Sequence, residues 1–120
     1  MQVEIEQLFD QRPETYTDEH FHLFQKFKQA LNDGFIRAAE PDPNTRTGWR
    51  VNAWVKKGIL IGFRMGVTVD MSINTVRQPW FDKSTYPVKQ FGPDDGVRTS
   101  AVTAVTAAVT GPGRLSRDAA

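Results

Sequence analysis

The chain has 120 residues, enough for one hydrophobic core and short of two. With 39% hydrophobic and 24% charged residues it reads as a globular domain, and a net charge of +1 excludes a global field aimed at nucleic acid or anionic lipid. The absence of cysteine excludes disulfides and thiolate metal sites, no apolar run reaches the ~20 residues that span a bilayer, and the acidic start lacks a signal-peptide core, so a cytoplasmic protein with no membrane partner is expected.

In chain order, Gln2 to Gln11 sets Val3, Ile5, Leu8 and Phe9 among acids, which predicts a short amphipathic helix ended by Pro13. A second helix is predicted from near Thr17, with Asp18 and Glu19 at the positive end of its dipole and Phe21, Phe24, Phe27 and Leu31 along one stripe. Gly34, after Asn32-Asp33, is its natural stop. Phe35 to Ala39 and Trp49 to Val51 flank PDPNTRTG, a loop dense in turn formers, and a β-hairpin is the simplest reading.

Asn52 to Gly66, NAWVKKGILIGFRMG, is the most apolar stretch, so the core is expected to form around it. Val55, Ile59, Gly62, Phe63 and Gly66 fall on one helical face, and Asn52 suits an N-cap, whereas Gly58, Gly62 and the β-branched Ile59 and Ile61 also suit a buried strand. We read a buried helix crossed closely by another element at its glycines, with Lys56, Lys57 and Arg64 reaching water. Val67, Val69, Met71 and Ile73 alternate as in a half-buried strand. Asn74 to Gly96, rich in Pro, Asp and rings, reads as an irregular segment pinned by its aromatics. Composition changes at Thr99: Val102, Val105 and Val109 have helical spacing, Ser100 suits a cap, and Gly111-Pro112 a stop, which predicts a weak helix and a disordered tail. The fold class expected is α+β: three helices, a short hairpin, a further strand, an aromatic-rich irregular segment and a weakly ordered tail.

Candidate chemistry is sparse. His20 and His22, the only histidines, point in different directions on a helix and cannot share one metal; a solvated helix start is the ordinary reading. Asp94 and Asp95 suit acid–base work, but Asp-Asp-Gly is also an ordinary turn. Trp49, Arg50, Trp54, Lys56 and Lys57 interleave rings with cations as single-strand binders do, yet also as core anchors with a basic rim do. Neither a Ser-His-Asp set nor a P-loop is present.

The order of segments carries more. LNDGFIRAAE, a turn loop, GWRVNAWVKKGILIGFRM, WFDKSTYPVKQF and DDGVR resemble the N-terminal domain of 2,3,4,5-tetrahydropyridine-2,6-dicarboxylate N-succinyltransferase. The matching residues are Gly34, Arg37, Ala39, Glu40, Trp49, Trp54, Lys56, Lys57, Phe63, Arg64, Phe81, Asp82, Lys83, Gly96 and Arg98, and the likeness runs from about Leu31 to Arg98. The resemblance implies a small α+β domain at residues 1–98 of a homotrimeric enzyme that uses succinyl-CoA to acylate a ring-opened dicarboxylate amine on the diaminopimelate route to lysine. It implies that Arg98 binds a substrate carboxylate, that no catalytic residue lies in this chain, and that this chain binds no cofactor itself.

From Thr99 to Ala120 the likeness ends: the family continues into hexapeptide turns of a left-handed β-helix, and this chain reads TSAVTAVTAAVTGPGRLSRDAA. The expectation is a truncated or frame-shifted member, inactive and monomeric by itself. A non-catalytic module that docks onto a full-length trimer of the family is the alternative, and single-stranded nucleic-acid binding through the Trp-rich stretch is the third.

Overall fold

The computed structural model describes residues 1–96, in two compact units. The first comprises Met1–Asp70 with Phe81–Pro87; the second contains Met71–Trp80 and the described residues from Val88 onward.

The first unit is built on three helices. Helix α1, Gln2–Gln11, buries Ile5 and Leu8, and ends where Arg12 takes a left-handed conformation ahead of Pro13. Helix α2, Asp18–Asn32, starts at Thr17, whose hydroxyl accepts the His20 N–H. It ends in a Schellman motif: the Phe35 N–H reaches the Ala30 carbonyl at 3.0 Å and the Gly34 N–H the Leu31 carbonyl at 3.2 Å, with Gly34 at φ +78°. Helix α3, Ala53–Met65, packs against both earlier helices, mainly α1. Ile5, Leu8, Phe24, Phe27, Val55, Ile61 and Met65 form the core, with Leu23, Leu31, Trp54, Ile59 and Tyr86 partly buried against it.

The helical reading of the central stretch holds, and of the expected face Val55, Gly62 and Gly66 are buried and Ile59 partly so, but the buried line turns away from Phe63. Val55, Gly58, Ile61, Gly62 and Met65 are buried, whereas Phe63 is exposed. The reason is the glycines. A Cβ at Gly58 would collide with the Phe27 ring, and one at Gly62 with the Phe24 ring and the Tyr86 hydroxyl. Rings from α2 and from the segment after Lys83 fill those niches, so the buried line runs along the smallest side chains. It is aromatic rings, not a second backbone, that make the close approach.

Asn52 is also used differently than expected. Its side chain makes no cap hydrogen bond; Nδ2 donates to the Arg37 carbonyl at 2.7 Å, and its N–H to the Ala38 carbonyl at 2.8 Å. These bonds tie the start of α3 to the chain leading into the hairpin.

The hairpin itself pairs β1, Ala39–Pro41, with β2, Trp49–Val51, antiparallel and in the register Ala39–Val51, Glu40–Arg50, Pro41–Trp49. Phe35 to Ala38 is not a strand, because the Phe35 and Ile36 N–H groups are bonded to the Ala30 carbonyl at the end of α2.

A second ribbon pairs β3, Thr68–Asp70, with β4, Phe81–Lys83. The alternation from Val67 to Ile73 overstates this strand: Val67 and Ile73 lie outside the three-residue ladder and are exposed. Strand β4 falls in the stretch expected to be irregular. Three residues after a proline carry no period to read. Of the rings in that stretch, Tyr86 does pin the chain: its hydroxyl donates to the Ile59 carbonyl at 2.5 Å, and its ring meets Phe24 edge-on with centroids 5.7 Å apart. Trp80, Phe81 and Phe91 are exposed.

In the second unit, Met71 donates its N–H to the Trp80 carbonyl at 2.8 Å, and Asn74 Oδ1 accepts from Val76 and Arg77 in a side-chain-braced turn. Pro93–Asp95 forms a short 3₁₀ turn. The expected weak helix and disordered tail from Thr99, and the boundary between residues 98 and 99, lie outside the described residues.

Candidate functional site

The sequence points to four groups of residues, and the structure does not gather them into one site. Arg98, expected to bind a substrate carboxylate, lies outside the described residues. Each of the others is described separately.

His20 is part of the fold. Its Nδ1 accepts the Thr17 N–H at 3.1 Å, completing a reciprocal cap on α2, and its ring meets Tyr16 edge-on at 5.9 Å. With Glu4, Gln7, Leu8, Gln11, Glu19 and Leu23 it lines a shallow groove of about 300 Å³. His22 is exposed. Among the described residues no three His, Asp or Glu side chains converge as a metal site. Asp95 takes the turn role: its Oδ2 accepts the Gly92 N–H at 2.7 Å.

The Trp-rich stretch divides between core and surface. Trp54 packs edge-on against Phe27 with centroids 6.0 Å apart, so it is an anchor. Trp49 is 54% exposed, and the core-anchor reading fails for it. Arg50 lies against Glu40 across the ribbon, with Asp42 Oδ2 3.8 Å away, so two carboxylates face the cation that a nucleic-acid reading needs. Lys57 sits over the Phe9 ring at 5.6 Å. Rings and cations are thus largely satisfied within the unit.

What the structure does present is one face of the hairpin. Residues directly opposite across an antiparallel pair share a face, and the faces alternate along each strand. Ala39, Pro41, Trp49 and Val51 therefore lie together, all exposed, while Glu40 and Arg50 lie on the other side. Between the strands Asp42 accepts the Asn44 N–H on its side chain, and Thr45 Oγ1 donates to the carbonyls of Asp42 and Trp49 at 2.9 Å each. The 42–48 loop is closed by its own polar groups and fixes the register.

Sequence reasoning missed three polar anchors around the core. Arg64, expected in water, donates from Nη1 to the Phe9 carbonyl at 2.9 Å and stacks over the Phe9 ring at 4.1 Å. Lys28 Nζ donates to the Thr85 carbonyl at 3.0 Å, and burial lowers its pKa from the ordinary lysine value. Thr85, itself buried, donates to the Gly62 carbonyl at 2.6 Å. Only Gly62, a glycine needing a neighbour, hinted at this cluster.

Comparison with known proteins decides the family. The profile described as "Tetrahydrodipicolinate N-succinyltransferase N-terminal" matches residues 1–65. The chain belongs to that family. The matched span takes in α1, α2, the first hairpin and α3, which together supply every residue of the core. Among curated relatives named 2,3,4,5-tetrahydropyridine-2,6-dicarboxylate N-succinyltransferase, the one from Gluconobacter oxydans is 36% identical over 61 residues, 51% of this chain and 21% of its own length. That from Xylella fastidiosa is 42% identical over 53 residues, 44% of this chain and 18% of its own. That from Bartonella henselae is 28% identical over 86 residues, 69% and 30% respectively. The chain thus spans less than a third of these relatives. Among the described residues of this N-succinyltransferase-family chain, no helix is long and apolar enough to cross a membrane.

Proposed function

We propose that residues 1–98 act as the N-terminal, substrate-side portion of a succinyl-CoA-dependent tetrahydrodipicolinate N-succinyltransferase, in the diaminopimelate branch of lysine biosynthesis. The reaction is acyl transfer: the amine nitrogen of the dicarboxylate attacks the thioester carbonyl, an N–C bond forms, the C–S bond breaks, and the nitrogen gives up a proton as coenzyme A leaves as its thiol. The observation that carries this reading is the coincidence of the family match with the three-helix core. Arg98 supplies the carboxylate contact, which suits a planar fork of donors. His20 and Asp95 are spent on capping and turn bonds, so the described residues are assigned binding and support, and the acylation step is assigned to polypeptide other than these 120 residues.

Thiol release from succinyl-CoA in the presence of the amino dicarboxylate tests the reading. The purified chain alone is expected to release none. With residues 1–98 exchanged into the Gluconobacter oxydans enzyme in place of its own N-terminal part, turnover is expected, and Arg98→Ala there should raise KM for the dicarboxylate roughly ten- to a hundredfold, the loss of one charge-assisted hydrogen bond. Turnover by the chain unaided, or an inert exchange protein that is folded, would overturn it.

A further inference from the structure

Among the described residues, the apolar face of the β1–β2 hairpin is left uncovered by the core. None of Ala39, Pro41, Trp49 and Val51 belongs to the core or packs on it, and Trp49 and Val51 are 54% and 73% exposed. Single exposed apolar side chains are ordinary, but four on one face of a six-residue ribbon, with the charged pair Glu40 and Arg50 on the reverse, make a contiguous uncharged patch. The loop bonds at Asp42 and Thr45 and the Asn52 bonds to Arg37 and Ala38 hold this ribbon at both ends. A partner that lands on it orders little, which favours binding.

We propose that this hairpin face is a docking surface for the part of an N-succinyltransferase polypeptide that lies beyond its N-terminal domain, with Trp49 as the central anchor. The inference rests on the family reading above. Its occupant is argued from length and charge: the relatives carry 70% or more of their polypeptide outside the matched span, in a family whose matched part is N-terminal, and the face offers apolar area with no charge to neutralise. An uncharged apolar counter-surface fits it, whereas an acidic or basic one would be desolvated without compensation. A large aromatic in such a position is the residue type that dominates interfaces.

The lack of native cysteine makes a site-specific test simple. The full 120-residue chain carrying Ala39→Cys, which lies opposite Val51 on the same exposed face and leaves Trp49 in place, is labelled with a benzophenone maleimide and irradiated with the intact Xylella fastidiosa enzyme; Lys26→Cys, on the exposed surface of α2, serves as the control. Adducts from position 39 are expected on the enzyme beyond its N-terminal segment, several times more abundant than from position 26. In competition, unlabelled chain should suppress them, and unlabelled Val51→Lys chain should need about tenfold more to do so. Equal yields from the two positions, adducts confined to a second copy of the chain, or Val51→Lys competing as well as the parent would each overturn the docking inference. The thiol-release assay is unaffected by any of these outcomes, so the functional reading stands or falls separately.

Discussion

The ring of Phe27 occupies the space that a Cβ on Gly58 would need. Phe27 is 1% exposed, so its ring has nowhere to withdraw. Gly58→Ala sets two effects against each other: a gain of about 1 kcal/mol in helix propensity, and overpacking that costs roughly 1–3 kcal/mol. With a fully buried ring as the obstacle, overpacking wins. A net loss of about 1–2 kcal/mol is expected, which a thermal melt followed by circular dichroism would show as a Tm lower by several degrees. A variant that melts at or above the parent temperature would mean that Gly58 is there for another reason.

Tyr86 carries a pH signature. Burial first, and the nearby Asp82 charge second, push its phenol from the ordinary value near 10 up to about 12. The folded state therefore holds this proton more tightly than the unfolded state. The resulting stability is fully present below pH 10, declines as pH rises from 10 to 12, and is gone above it. Tyr86→Phe should lower stability at neutral pH by about 1 kcal/mol through loss of the bond to the Ile59 carbonyl. The difference between parent and variant should then narrow between pH 10 and 12. A difference that stays constant over that range would remove the phenol from the account.

How far the sequence reached is visible in these two residues. Helices α1 and α2 were legible because Ile5 and Leu8, and Phe24 and Phe27, recur at a spacing that one element can satisfy alone. The rotation of α3 was not, because it is set by rings arriving from other elements: the niches at Gly58 and Gly62 are defined by Phe27, Phe24 and Tyr86, between 24 and 38 residues away in sequence. The hairpin was legible from PDPNTRTG and its flanks, but its first strand starts four residues late because the end of α2 claims Phe35 and Ile36. Which hairpin face is covered cannot be read from Trp49 itself. A tryptophan carries the same signal on either side of a ribbon.

Arg64 joins the end of α3 to α1 through its hydrogen bond to the Phe9 carbonyl and its stack on the Phe9 ring. Arg64→Met keeps most of the apolar stem and removes both, leaving the carbonyl to one of the weaker partners available near a helix end. A loss of about 1–2 kcal/mol is expected by urea unfolding at unchanged slope. Arg64→Lys should recover only part of it, since an ammonium cannot lie flat on the ring while donating sideways. Full recovery by lysine would reduce the contact to simple charge.

The two tryptophans near the start of α3 should behave oppositely. Trp54 is half in the core against Phe27, so Trp54→Ala should cost roughly 2–3 kcal/mol, below the 3–5 kcal/mol typical of a fully buried ring because part of its surface is already wet. Trp49→Ala removes a ring that touches solvent over half its area and should change stability by no more than about 0.5 kcal/mol. Denaturant unfolding of the two variants side by side separates them, and fluorescence quenching by iodide adds an independent check: the quenchable signal should fall in Trp49→Ala, leaving the share of the exposed Trp80, and persist in full in Trp54→Ala. If Trp49→Ala were the more damaging change, the hairpin face would belong to the fold, and it would no longer be free to meet a partner.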